Sequence, residues 1–122
     1  MAKKKILVVD DEAELVGMVK MRLEASQYEV ITAYDGQEAI DTARREKPDL
    51  ILLDLMLPKI DGYKVCGLLK ADTRFRTIPI ILFTARAQDS DKKMAEETGA
   101  NAYVTKPFEP QVLLKKIAEL IA

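Results

Sequence analysis

Two adjacent aspartates, Asp10-Asp11, follow the apolar run Ile6-Leu7-Val8-Val9, and a third, Asp54, closes a second run, Leu50-Ile51-Leu52-Leu53. Thr84 closes the run that starts at Ile78, and Lys106 follows Ala102-Tyr103-Val104-Thr105. Carboxylates brought together need a counterion, because like charges ~4 Å apart repel by about 4 kcal/mol at an effective dielectric near 20. Donors that are all oxygen suit a hard divalent ion, and Mg²⁺ takes few protein oxygens, keeping waters and phosphate oxygens for the rest. A divalent ion beside a lysine and a hydroxyl makes a phosphoryl-handling site, since those groups neutralise oxygens that gain charge in transfer. Asp54 can then serve as nucleophile and form a mixed carboxylic–phosphoric anhydride. Each residue alone has a plainer reading: Asp10 and Asp11 as helix caps, Asp54 as a strand-terminating turn residue, Thr84 as a cap or turn, Lys106 as solvated surface. Their joint placement on one rim is what favours the chemistry.

That placement depends on the elements. Four apolar residues in a row, at 6–9 and again at 50–53, fit strands covered on both faces, as in the middle of a parallel sheet. Pro58 and Asp61-Gly62 mark a loop and turn, so the second of these strands ends near Asp54. Tyr28-Glu29-Val30-Ile31-Thr32 alternates and carries a charge, which places it at a sheet edge. Ile78-Pro79-Ile80-Ile81-Leu82-Phe83 is a further strand with Pro79 near its start, and 102–105 is a short last one. Helices are expected after Asp10-Asp11-Glu12, with Leu15, Val19 and Leu23 on one face; after the capping spacing Asp35-Gly36-Gln37-Glu38, with Ala39, Ile40 and Ala43 inward; and after Asp61, burying Val65, Leu68 and Leu69. Asp72 to Thr77 reads as polar loop. A short helix over about 90–98 is stopped by Gly99, and a last one spans Glu109 to Ile121 with Leu113, Ile117, Leu120 and Ile121 on one side. Five strands alternating with five helices imply an α/β fold: a doubly wound five-stranded parallel sheet with right-handed crossovers and helices on both faces. The most apolar strands belong in the middle, giving the order 2-1-3-4-5, and ligands gather at the carboxyl ends beside the switch point.

The bulk properties narrow the function. The 122 residues make one domain, 1–122, with 48% hydrophobic and 32% charged residues. A formal net charge of −1 gives no basic footprint for direct binding of nucleic acid. The basic start Met1-Ala2-Lys3-Lys4-Lys5 is followed by too short an apolar run for a signal peptide, and no stretch spans a membrane, which points to the cytoplasm. The single cysteine, Cys66, sits in a helical pattern as a buried, inert thiol. With no histidine in the chain, Ser-His and Cys-His pairs, histidine metal ligands and a phosphohistidine on this protein are excluded.

The combination Val9-Asp10-Asp11, Leu53-Asp54 with Pro58 and Asp61-Gly62, Thr84-Ala85, and Tyr103 with Lys106-Pro107-Phe108 resembles the receiver (response-regulator) domain family of two-component phosphorelay signalling, over essentially the whole chain. The resemblance implies a flavodoxin-like (βα)5 fold in which Asp54 is the phosphoacceptor. It implies that Asp11 and Asp54 bind Mg²⁺ (or Mn²⁺) directly, Asp10 through water, and the Met56 backbone carbonyl completes the protein ligands. Lys106 would contact the phosphoryl group and Thr84 would hydrogen-bond to it. Tyr103 is similar to the family's rotating aromatic switch residue and Lys106–Pro107 to its cis peptide. The implied partners are a sensor histidine kinase or histidine phosphotransfer protein, and a downstream protein or output domain reached through the 90–121 face. The protein would be a monomer or weak phosphorylation-dependent dimer.

Three other readings compete. A haloacid-dehalogenase-type phosphatase also uses a strand-end aspartate and Mg²⁺, but needs a second aspartate two residues on, where this chain has Met56. A nucleotide- or flavin-binding domain of the same topology would want a glycine- or hydroxyl-rich phosphate loop after the first strand; without a metal, Asp10-Asp11-Glu12 would repel phosphate there. A module that only docks partners has no need of the acidic set. The expectation is therefore a phosphoacceptor switch that catalyses its own phosphorylation and dephosphorylation without being an enzyme on a separate substrate. No output domain follows within the 122 residues, which suits either a stand-alone regulator or part of a longer chain.

Overall fold

A computed structural model describes residues 3–84, 99–106 and 109–121, with Thr84 described by its backbone alone. Five strands, β1 (Lys5–Val9), β2 (Glu29–Ala33), β3 (Leu50–Asp54), β4 (Ile80–Thr84) and β5 (Ala102–Thr105), form one parallel sheet of order β2-β1-β3-β4-β5. Four helices are described: α1 (Ala13–Ala25), α2 (Gly36–Glu46), α3 (Gly62–Ala71) and α4 (Pro110–Ile121). The helix expected over 90–98 lies outside the described residues. None of the described helices is long and apolar enough to cross a membrane.

The period of two along each strand divides the interior into two cores, one on either side of the sheet. Leu7 and Val9 of β1, Ile51 and Leu53 of β3, and Ile80 and Leu82 of β4 pack with α2 and α3. Their alternates Ile6, Val8, Leu50, Leu52, Ile81 and Phe83 pack with α1 and α4. The three inner strands, β1, β3 and β4, are thus covered on both faces, which is why their sequences do not alternate. β2, at the edge, leaves Glu29 exposed and its next three residues half-buried.

Several boundaries and faces differ from the sequence expectation, each for a local reason. β4 starts at Ile80 rather than Ile78: Pro79 has no N–H to give, though its carbonyl accepts from the Ile51 N–H at 3.0 Å. α4 starts at Pro110 rather than Glu109, the first helical position where proline costs nothing. On α1 the buried stripe is Val16, Val19 and Leu23, and Leu15 is only half-buried. On α3 it is Val65, Cys66 and Leu69, while Leu68 stands 47% exposed on the flank. On α4, Leu113 and Ile117 are buried, and Leu120 and Ile121 only partly. The segment 72–77 is not simply polar loop: Phe75 is 2% exposed and belongs to the α2–α3 core. Lys70 fixes that segment from α3, its Nζ donating to the carbonyls of Arg76 (3.1 Å) and Ile78 (2.8 Å) and to Asn101 Oδ1 (2.9 Å).

Candidate functional site

Because the strands are parallel, their last residues share one rim. Asp54 ends β3, its Cα level with Phe83 of β4. Asp10 follows β1 and donates its backbone N–H to the Ala33 carbonyl at the end of β2 (3.2 Å). Lys106 follows β5. The lysine therefore starts two strands away from Asp54 and three from Asp10, with β4 and β3 between. It covers the distance with its stem across β4, where its Nζ lies 4.9 Å from the centre of the Phe83 ring. The ammonium ends 2.6 Å from Asp10 Oδ2, 3.5 Å from Asp54 Oδ2 and 3.9 Å from Glu12 Oε1.

The two aspartates are buried, Asp10 at 0% and Asp54 at 3% exposure. A buried charge persists only when paired and hydrogen-bonded, and the site supplies both. The backbone N–H of Glu12 donates to Asp10 Oδ1 at 2.9 Å and that of Met56 to Asp54 Oδ1 at 3.3 Å. Asp10 thus bonds inside its own loop rather than capping α1, whose N-cap residue Glu12 makes no side-chain cap bond either. Burial, and then the neighbouring charge of Asp10, push the Asp54 carboxyl up to about 6, against the opposing pull of Lys106 and the Met56 N–H. Burial by itself would lower the Lys106 pKa, but its hydrogen bond and charge interactions with Asp10, Asp54 and Glu12 outweigh it and raise it.

Asp10, Asp11 and Glu12 each bring a carboxylate oxygen within 4.8 Å of the others. These are oxygen donors of the kind a hard cation takes; Asp54, which the sequence reading placed among the metal ligands, is not in this group. Glu12 is the residue the sequence reading left out of the candidate set, though the run of three acids was its signal. Phe83, which supports the lysine, carried no signal until β4 was known to lie under the Lys106 stem. Met56 is 60% exposed beside Asp54. The backbone of Thr84 is level with Thr105 in the β4–β5 pairing, and Tyr103 with Leu82. Tyr103 is half-buried against the α2–α3 core. The Thr84 side chain, Ala85 and Arg86, and Pro107 with its peptide bond lie outside the described residues.

Comparison with known proteins decides the family. The family described as "response regulator receiver domain" matches residues 6–118. The chain belongs to that family. Receiver chains of solved structure superpose on it closely: the chemotaxis protein CheY4 of Vibrio cholerae at 31% identity and a TM-score of 0.92, covering 98% of this chain and 99% of that one. The BeF3-activated N-terminal receiver domain of Klebsiella pneumoniae RstA has 33% identity and a TM-score of 0.90, covering 97% and 98%. Among curated relatives, the alkaline phosphatase synthesis transcriptional regulatory protein PhoP of Bacillus subtilis is 47% identical over 118 residues, 97% of this chain and 48% of that protein. The DNA-binding dual master transcriptional regulator RpaA of Synechocystis is 40% identical over 117 residues, 96% of this chain and 48% of its own length. This receiver chain therefore spans about half the length of the curated relatives it matches.

Proposed function

We propose that the chain, as a single receiver domain over 1–122, is a phosphoacceptor switch that takes a phosphoryl group onto Asp54 in the cytoplasm. The observation that carries this reading is one ammonium, Lys106 Nζ, shared between the buried carboxylates of Asp10 and Asp54 at the carboxyl rim of the sheet. In the transfer an Asp54 carboxylate oxygen attacks the donor phosphorus. The new O–P bond forms as the bond from phosphorus to the donor's leaving atom breaks, and that electron pair stays with the donor. Lys106 meets the charge on the phosphoryl oxygens, and the Thr84 hydroxyl donates to one of them. Asp10 (through water), Asp11, Asp54 and the Met56 carbonyl would hold Mg²⁺, or Mn²⁺ in its place, and the ion when bound supplies positive charge to the transferring group.

The chain has no histidine, so a phosphohistidine donor belongs to another protein, a sensor histidine kinase or a histidine phosphotransfer protein. Attack of water on the aspartyl phosphate returns the carboxylate, so the domain resets itself with no separate substrate. Signalling follows a shift between two packings biased by the Thr84 contact and the Tyr103 ring, read out on the 90–121 face by a partner or an attached output domain. The names of PhoP and RpaA as transcriptional regulators, each about twice this length, support an output domain for such a unit; the receiver itself contacts no nucleic acid or membrane and is a monomer or a weak phosphorylation-dependent dimer.

Treatment with acetyl phosphate and Mg²⁺ should add one phosphate by intact-mass spectrometry. Asp54→Asn or EDTA should abolish the addition. Equal labelling of the Asn variant, or labelling in EDTA, would sink the assignment.

A further inference from the structure

The loop that carries Met56 is held by an element outside the chemistry above. Between β3 and α3 the Leu55 carbonyl accepts from the Gly62 N–H at 2.9 Å. The Pro58 carbonyl accepts twice, from Ile60 N–H at 2.8 Å and from the N–H of Gly36, the first residue of α2, at 3.3 Å. A Cβ on Gly36 would collide with the Ile60 carbonyl oxygen and stand 2.7 Å from Ile60 Cβ, so this approach of backbone to backbone requires glycine. Lys59, between the two contacts, has a φ of 68°, a left-handed conformation that a side-chained residue holds only when its surroundings impose it. Its ammonium lies 3.4 Å from Asp35 Oδ2, while Asp35 Oδ1 caps α2 through the Glu38 N–H at 2.8 Å. The far end of the loop is equally tight, because a Cβ on Gly62 would collide with the Asp54 carbonyl oxygen.

We propose that the Asp35–Gly36 corner of α2 is a positioning device for Asp54. By fixing Pro58, Lys59 and Ile60 it fixes the Met56 amide, which in turn aims the Asp54 carboxylate. The inference rests on reading Asp54 as the phosphoacceptor. Positioning of this kind matters because a misplacement of about 1 Å in a reacting group can cost on the order of a hundredfold in rate.

The test uses three variants of the chain: Gly36→Ala, Lys59→Gly and, as a control, Gly17→Ala, where an added Cβ meets nothing within 4 Å. Three readouts are taken: the rate of acetyl phosphate labelling with Mg²⁺, the NMR position of the Met56 amide, and the melting temperature, which a core variant is chosen to match. Gly36→Ala should slow labelling by about tenfold or more and displace the Met56 resonance. Lys59→Gly removes the backbone strain and the Asp35 ion pair together. It should leave the melting temperature nearly unchanged yet slow labelling several-fold, a split that a merely structural role does not produce. Gly17→Ala should change neither the labelling rate nor the Met56 resonance. Should Gly36→Ala fail to fold, Lys59→Gly decides. Wild-type rates and resonances in the loop variants overturn the proposal. So does slowing in Gly36→Ala no greater than in a core variant of matched melting temperature. If the wild type takes no phosphate on Asp54, the functional reading fails, and the Met56 resonance alone decides the positioning claim.

Discussion

At the scale of single residues, Asp54 carries a cost that can be measured without any phosphate. Its carboxyl is raised to about 6 from an ordinary 3.8, by burial and by Asp10. A carboxyl raised in the folded state binds its proton more readily there than in the unfolded chain. Its charge therefore destabilises the fold fully above pH 6, and the penalty fades as pH falls towards 4. A shift of that size corresponds to about 3 kcal/mol at most. Asp35, Glu46 and Asp72 are lowered by hydrogen bonds and cations and run the opposite way, losing stability as pH falls. The contribution of Asp54 is isolated by comparison with Asp54→Asn. In EDTA the variant should melt higher than the wild type at pH 7.5, and the difference should vanish by about pH 4. A difference independent of pH would mean that the Asp54 charge is not what strains the site. The sequence marked Asp10, Asp54 and Lys106 because each ends an apolar run. It named Glu12 in the acidic run but not as a site residue, although that run of three acids was the signal. It did not mark Phe83 as the surface under the lysine, because that depends on which strand lies under the Lys106 stem, information that a residue's own neighbours do not carry.

At the scale of elements, what was legible followed from period and punctuation. β1 and β3 read correctly because a doubly buried parallel strand is apolar at every position. The starts of α2 and α3 read correctly because Asp35 and Asp61 each accept the backbone N–H three residues on, at 2.8 and 2.9 Å. The side that α3 presents was less legible: Val65, Cys66, Leu68 and Leu69 are all apolar, and only the direction of the sheet decides that Leu68 is the one left out. Phe75 was missed because a polar stretch hides one buried ring, held in place by the carbonyl contacts of Lys70 nearby. The Asp61 cap is separable from the chemistry, so Asp61→Ala should cost about 1 kcal/mol of stability by denaturant unfolding, with the same dependence on denaturant slope. A loss below a few tenths of a kcal/mol would show that the closure at Gly62 alone sets where α3 begins.

At the scale of the whole molecule, the strand order was legible because charge and apolarity rank the strands from edge to centre. The division into two cores is the less obvious result. Ile40 belongs to the α2–α3 core and Ile117 to the α1–α4 core, with the sheet between them. Ile40→Val and Ile117→Val should each cost about 0.5–1.5 kcal/mol, and the double variant should cost their sum within about 0.5 kcal/mol. A larger coupling would show that packing strain crosses the sheet. The same division has a consequence for how such a chain can diversify. The sheet works as a bulkhead: among the described residues its two compartments share no side chain, and at the carboxyl rim Lys106 leans over Phe83 to reach Asp54 and Asp10. Substitutions can therefore accumulate in one compartment, reshaping one outer wall, while the other keeps its fit and the rim keeps its charges.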